Sequence, residues 1–130
     1  MFVRIIFSFL LLFSPLLSRA VKVNAIVSDL EFENGQIKYL AAGYSNGDVC
    51  LWNLSVPEIV FKHNTGSSIT DININSYAKE IVVTTEDGEI VGLSLNGKKL
   101  FSQFFPPGPE KTVFRSIDIS RDGEMIYCIG

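Results

Sequence analysis

Residues 39–54 read YLAAGYSNGDVCLWNL: an apolar run, a turn at Asn46-Gly47, and a segment in which side-chain polarity alternates. Alternation with a period of two is typical of a half-buried β-strand. The Asn-Gly pair is typical of a hairpin turn, and we expect both of its residues to adopt positive φ. This stretch therefore predicts two antiparallel strands joined by a tight turn.

The same arrangement recurs along the chain. Corresponding positions are Leu30 and Ile72 (42 apart), Asn46 and Asp87 (41 apart), Trp52 and Leu93 (41 apart), and Ile72 and Ile117 (45 apart). Short strands separated by turn residues fill each period after residue 20, without helical periodicity. A period of about 40 to 45 residues with four strands is typical of a β-propeller blade, which must stack on its neighbours to bury its faces.

We therefore predict an all-β protein: a partial β-propeller of four-stranded antiparallel blades, preceded by a hydrophobic N-terminal segment. Residues 1–20 form that segment and residues 21–130 an incomplete propeller. Its blades are predicted at residues 25–62, 67–105 and 113–130, the last one partial. Since closure takes about four to eight blades, we interpret the chain as a fragment of a larger propeller, a truncated product, or a piece completed by other copies or partners.

The stretch at residues 39–54 resembles the second strand, turn and third strand of a WD-repeat β-propeller. Asn53 stands where that family usually has Asp, directly after the tryptophan, here Trp52. The likeness extends over residues 25–130 and includes ISRDGEMIYCIG at residues 119–130. It implies a cytoplasmic, non-enzymatic module or scaffold that binds protein partners.

The same resemblance implies a structural role for His63. WD repeats often carry a histidine between the outer strand of one blade and the inner strand of the next, bonded to an aspartate in the later turn. His63 and Asp87 lie near those positions, whereas Leu93 replaces the expected tryptophan. The main interpretation of His63 is such a structural pin, and the alternative is an ordinary exposed loop histidine.

Two other likenesses lead to the same architecture. GEIVGLSLNGKKLF at residues 88–101 resembles quinoprotein-type propeller repeats, which are frequently exported. LSLNGKKLFSQF at residues 93–104 and FRSIDISRDG at residues 114–123 faintly resemble the propellers of BEACH-domain proteins, which act in membrane traffic.

The N-terminal segment reads MFVRIIFSFLLLFSPLLSRA, with an early Arg4, an apolar run, and Ala20 as a cleavage position. This layout predicts a secretory signal peptide, and a membrane anchor is the second choice. A buried strand of a preceding repeat, or a spurious start, is the structural alternative. Localisation therefore stays open between cytoplasmic, from the WD-repeat resemblance, and secreted or membrane-associated, from this segment.

Charge and motif content restrict the function. With 11 Lys plus Arg against 14 Asp plus Glu, a net charge of −3 and scattered cations, the chain is not expected to bind nucleic acid. A single histidine, with Cys50 and Cys128 far apart, predicts no metal site. No GxSxG, phosphate-loop or HExxH motif is present, so we predict no enzyme, no catalytic residue and no cofactor.

A non-enzymatic propeller would bind proteins through loops at one of its rims. The candidate rim residues are Tyr44, Asn46, His63, Asp87 and Arg115, and the alternative for each is an ordinary turn or surface residue. The alternative function is an exported or membrane-tethered propeller that binds a small ligand, such as a quinone-type cofactor, or assists envelope assembly. Contact with a membrane would then involve only the N-terminal segment.

Overall fold

The computed structural model describes residues 25–56, 58–105 and 113–130, which form strands and turns and contain no helix. Within these ranges there is accordingly no apolar helix of membrane-spanning length. The predicted leader at residues 1–20 and the Pro-rich connection at residues 106–109 lie outside the described residues.

Ten antiparallel strands form three sheets. They are β1 (Val27–Glu33), β2 (Gln36–Gly43), β3 (Asp48–Asn53), β4 (Glu58–Asn64), β5 (Ile69–Asn75), β6 (Glu80–Thr85), β7 (Glu89–Ser94), β8 (Lys99–Phe104), β9 (Ser116–Ile119) and β10 (Ile126–Ile129). Sheet I has the order β1-β2-β3-β4, sheet II the order β5-β6-β7-β8, and sheet III is the hairpin β9-β10. The prediction of an all-β chain with four-stranded antiparallel sheets is confirmed.

Glycine occupies the left-handed region in several of the turns that join these strands, whereas in the β5–β6 turn Lys79 does so, with φ of 60°. In four of them the glycine N–H donates to the carbonyl three residues earlier: Gly47 to Tyr44, Gly88 to Thr85, Gly97 to Ser94, and Gly123 to Ser120. Positive φ at two successive residues occurs at Asn34-Gly35, with φ of 54° and 77°. The expectation of two positive φ angles is wrong for the Asn46-Gly47 turn, where the glycine alone has positive φ, and the Asp87-Gly88 and Asp122-Gly123 turns share this property. The turns that end at Gly47, Gly88 and Gly123 span four residues, and the last of them is a glycine in the left-handed region. This turn geometry follows the twist of the flanking strands and leaves the residue before the glycine unstrained.

Sheets I and II pack face to face. Ala41, Val49 and Leu51 of sheet I meet a larger apolar surface of sheet II, and all three are fully buried. The sheet II residues in this core are Ile69, Ile72, Ile74, Ile81, Val83, Val91 and Leu93. Because alternate residues of a strand share a face, each of the two sheets contributes one apolar side to this core.

The opposite face of sheet II packs against sheet III. Val82 and Ile90 of sheet II contact Ile117 and Ile119 of β9, and all four are buried. The partly buried ring of Phe101 lies beside this cluster. Sheet II is therefore an inner layer whose two faces are both covered, which explains the continuous buried runs in β6 and β7.

Phe101 lies across the backbone of Gly92, its register partner on the neighbouring strand. A Cβ atom on residue 92 would come within 2.1 Å of Cε1 of Phe101. The ring thus uses the space that a side chain would occupy, and the glycine is required by this packing.

We expect Gly92→Ala to lower the free energy of unfolding by about 1–3 kcal/mol, because the added methyl group overpacks the site. In the Phe101→Leu background the same change should cost clearly less, since Leu lacks the ring atoms that would clash. Urea unfolding of the four proteins of this double-mutant cycle measures the difference. Equal costs of Gly92→Ala in both backgrounds would contradict the steric explanation.

Candidate functional site

The three sheets have two common ends. At the end where β1, β5 and β9 begin, Ile69 N–H donates to the Tyr44 carbonyl (3.2 Å) and Glu86 N–H to the Ser68 carbonyl (2.9 Å). We name this the connector end; it carries the β2–β3 and β6–β7 turns and the β4–β5 connection. The opposite, hairpin end carries the β1–β2, β5–β6 and β9–β10 turns, where the Asn75 amide donates to the Ser120 carbonyl (2.8 Å).

All five candidate rim residues lie at the connector end. Tyr44 directly follows β2, and Asn46 lies in the turn between β2 and β3. His63 lies near the end of β4, opposite Val49 on β3. Asp87 lies in the β6–β7 turn, and Arg115 directly precedes β9. The sequence therefore selected residues that share one end of the sheets, although they come from three sheets.

Asn46 serves the fold of its own turn. Its side-chain carbonyl accepts from Asp48 N–H (3.0 Å) and its amide donates to the Asp48 carboxylate (2.9 Å). Asn64 also donates to Asp48 (2.8 Å), and Lys62 forms an ion pair with it (3.1 Å). The pKa of Asp48 is lowered by these contacts, most by the hydrogen bond from Asn64 and then by those from Asn46 and Lys62.

Tyr44 is half-buried beside Cys50. Burial first, and then the neighbouring Cys50 and Asp48, raise the pKa of Tyr44 to about 12. Burial and Asp48 likewise raise the pKa of the Cys50 thiol. Both groups are therefore protonated at neutral pH, and Cys50 lacks the thiolate character of a nucleophile.

The other three candidates differ in exposure. Arg115 is exposed and is fixed at its backbone, where its N–H donates to the Ile129 carbonyl (2.6 Å). Asp87 is exposed in its turn, and His63 is half-buried within β4 rather than in the connection that follows. The predicted bond between His63 and Asp87 stays a prediction.

Polar contacts join neighbouring sheets, and they were not predicted from the sequence. The Asp29 carboxylate accepts from Ile74 N–H (2.9 Å), and the Asp71 carboxylate accepts from Ile117 N–H (2.8 Å). Asp29 and Asp71 are 42 residues apart, and they directly precede Leu30 and Ile72, which occupy corresponding positions of the repeat. This spacing is the feature of the sequence that could have indicated that both aspartates make the same kind of contact. Burial, opposed by the Ile74 hydrogen bond, raises the pKa of Asp29.

An open groove lies at the hairpin end, with a volume of about 850 Å³. Its lining carries both signs of charge, as in Glu31, Asp118 and Arg121. The Arg121 guanidinium lies 5.1 Å from the centre of the Tyr77 ring. This groove was not predicted from the sequence.

No cluster of three or more His, Cys, Asp or Glu side chains that could hold a metal ion occurs in the described ranges. The chain matches no family model, and no curated protein matches it significantly. The functional interpretation therefore depends on the geometry of the connector end and of the hairpin end.

We expect Asp71→Ala to lower the free energy of unfolding by about 1–3 kcal/mol, because the part-buried Ile117 N–H loses its acceptor. Asp71→Asn keeps a carbonyl oxygen at that place and should cost less. Urea unfolding compares the two, and amide exchange at Ile117 should be faster in the Ala variant. Equal losses in both variants would argue against this hydrogen bond as the cause.

Asp48 should make stability depend on pH in the acid range. Its folded pKa is lower than that of an unfolded Asp, about 3.9, so its contribution is present above that value and is lost as pH falls through the folded pKa. The stability advantage of the wild type over Asp48→Asn should therefore shrink from about pH 5 to about pH 2. Urea midpoints at several pH values test this, with Glu86→Gln as the charge control. A constant advantage across this range would refute the assignment.

Proposed function

We propose that the chain is a non-enzymatic interaction module of the WD-repeat β-propeller type, which binds protein partners at its connector end. The observation that carries the proposal is the placement of all five candidate rim residues at one end of three packed sheets. There, Ile69 N–H of sheet II donates to the Tyr44 carbonyl of sheet I, and the turns at Gly47 and Gly88 are closed by backbone hydrogen bonds of their own, so that the end can act as a rigid display surface.

Support for the propeller arrangement comes from the repeated contact between inner strands. β1 lies beside β5 and β5 beside β9, and an aspartate on the earlier strand accepts from a backbone N–H on the later one in both cases. The two acceptors are 42 residues apart and the two donors 43, and such a near-repetition of an inter-sheet contact is expected of stacked blades. The proposal includes further sheets, or other copies of the chain, that complete the ring.

We assign different roles to the five candidates. Asn46 and Tyr44 are engaged within the sheet I turn, so their substitution would alter the fold as well as the surface. Arg115 is exposed at the same end and belongs to a residue type that is enriched among binding hot spots. We therefore assign the principal anchor to Arg115, with His63 and Asp87 as further contacts at the same end.

We include no catalytic step in this proposal. The protonated states of Tyr44 and Cys50 at neutral pH leave the connector end without a ready nucleophile from either residue. Exposed side chains on fixed turns suit recognition of a partner surface.

Partners recovered by affinity capture with the full chain should be purified, and their binding measured by calorimetry. We expect Arg115→Ala to weaken binding by more than roughly fivefold, the loss of a hot-spot side chain. Arg121→Ala is the matched control, because this exposed arginine lies at the hairpin end. Equal weakening by both variants, or no purified partner that binds, would exclude the connector end as the binding surface.

A further inference from the structure

The groove at the hairpin end is built by all three sheets and has a volume of about 850 Å³. Sheet I contributes residues of β1 and β2, sheet II residues of β5 and the β5–β6 turn, and sheet III residues of β9 and the β9–β10 turn. None of the described residues that line it belongs to β10, and a strand added to β10 would pair on the side away from β9. Contacts among the three sheets therefore determine the lining, and the volume is in the usual range of ligand sites, about 300–1,000 Å³.

Each inner strand contributes one polar side chain to this groove at a corresponding position. Glu31 of β1, Asn73 of β5 and Asp118 of β9 are 42 and 45 residues apart. Asn73 and Asp118 each lie between two buried isoleucines, so alternation keeps both side chains out of the apolar cores. The Asn73 amide donates to Oδ1 of Asp118 (3.2 Å). The repeat thus forms a polar row of carboxylate, amide and carboxylate across β1, β5 and β9.

The two carboxylates of this polar row have no cationic partner in the described part of the chain. The ion pairs there join Lys38 to Glu33 and Lys62 to Asp48. Asp118 accepts two hydrogen bonds, from the Asn73 amide and from Ile119 N–H (2.8 Å), and both use Oδ1. A cationic group from outside can therefore bind to the row by hydrogen bonds to charged acceptors, which are stronger than neutral ones.

Two cations lie at the turns, nearer to the hairpin end than the polar row. Arg121 follows Asp118 by three positions, about 7–10 Å along the chain. Its carbonyl accepts from the Asn75 amide (3.1 Å), and its guanidinium lies 5.1 Å from the centre of the Tyr77 ring. Lys79 is exposed and has φ of 60°, which residues other than glycine rarely adopt. Opposite charges are thus separated in the groove, negative on the inner strands and positive at the turns.

We propose that this groove binds an extended segment of a partner protein in which a basic and an acidic side chain are two positions apart. Such side chains project to the same side of the segment, about 7 Å apart, which agrees with the separation of the polar row from the turn cations. The basic side chain binds to Glu31 and Asp118, and the acidic side chain binds to Lys79 and Arg121.

Charge complementarity favours this occupant over a segment with one sign of charge. A purely basic segment would place a cation against Lys79 and Arg121, and a purely acidic one would place an anion against Glu31 and Asp118. Like charges brought together in this way oppose binding. The groove and Arg115 lie at opposite ends of the sheets, so the inference goes beyond the proposed function.

The probe is the terminally blocked peptide AARAEAA, titrated into the full chain and followed by the backbone amide NMR signals of the protein. We expect saturable shifts at Glu31, Asn73 and Asp118, and none at Asn46 and Asp87 of the connector end. The uncharged peptide AAQAQAA is the matched control and should bind at least about tenfold more weakly, because it lacks both charges.

Double-mutant cycles between protein and peptide test each contact separately. Glu31→Gln with the peptide AAQAEAA, and Lys79→Gln with the peptide AARAQAA, should each show a coupling of at least about threefold in affinity, because both changes remove the same contact. The crossed combinations, Glu31→Gln with AARAQAA and Lys79→Gln with AAQAEAA, are the controls and should be additive within about twofold.

Absence of saturable shifts at the groove, or crossed couplings as large as the direct ones, would overturn the proposal. Tighter binding of the acidic peptide AAEAEAA would assign the groove to an anionic ligand and would also overturn it. The same holds for light scattering that reveals dimers of the chain dissociated by Glu31→Lys, since the occupant would then be a second copy. Arg115→Ala should leave peptide binding unchanged, which separates this result from the outcome for the connector end.

Discussion

The face-to-face burial between sheets determines what the rest of this structure can be. A four-stranded sheet is one layer thick, and its apolar side is hidden from water only by another layer. Ile81, Val83 and Leu93 of sheet II reach complete burial because sheet I covers them. Since a buried aliphatic side chain contributes about 1.5–3 kcal/mol, a small set of these residues determines whether the sheets stay together.

Polar contacts at the inner strands then specify how the sheets are aligned. Apolar packing tolerates small displacements, whereas a carboxylate that accepts a backbone N–H of the next sheet requires one register. Asp29 and Asp71 supply such contacts one repeat apart, and at the hairpin end the Asn75 amide donates to the Ser120 carbonyl of the next sheet. The short aspartate side chain holds the two backbones close, so that the turns at each end of the sheets are kept in fixed relative positions.

The two ends of this framework differ in chemistry. At the connector end, the Tyr44 carbonyl of sheet I accepts from Ile69 N–H of sheet II, and Asp87 and Arg115 are exposed. At the hairpin end, an open groove has a lining that carries both signs of charge. Recognition at the connector end would depend on side chains such as Arg115.

The alternation, the turn residues and the 41- to 45-residue spacing were sufficient to predict an all-β chain with two four-stranded sheets and a further hairpin, because these properties depend on local backbone preferences. They also selected five candidate rim residues that lie at one end of the sheets, because the order of the strands determines at which end each turn lies. The repeat spacing contained Asp29 and Asp71, but only contact between sheets revealed them as acceptors. Likewise, the need for glycine at residue 92 depends on Phe101, which belongs to the neighbouring strand. Sequence determined the strands and their order; tertiary structure alone decided which faces, edges and carboxylates meet, because those contacts join residues about 40 positions apart.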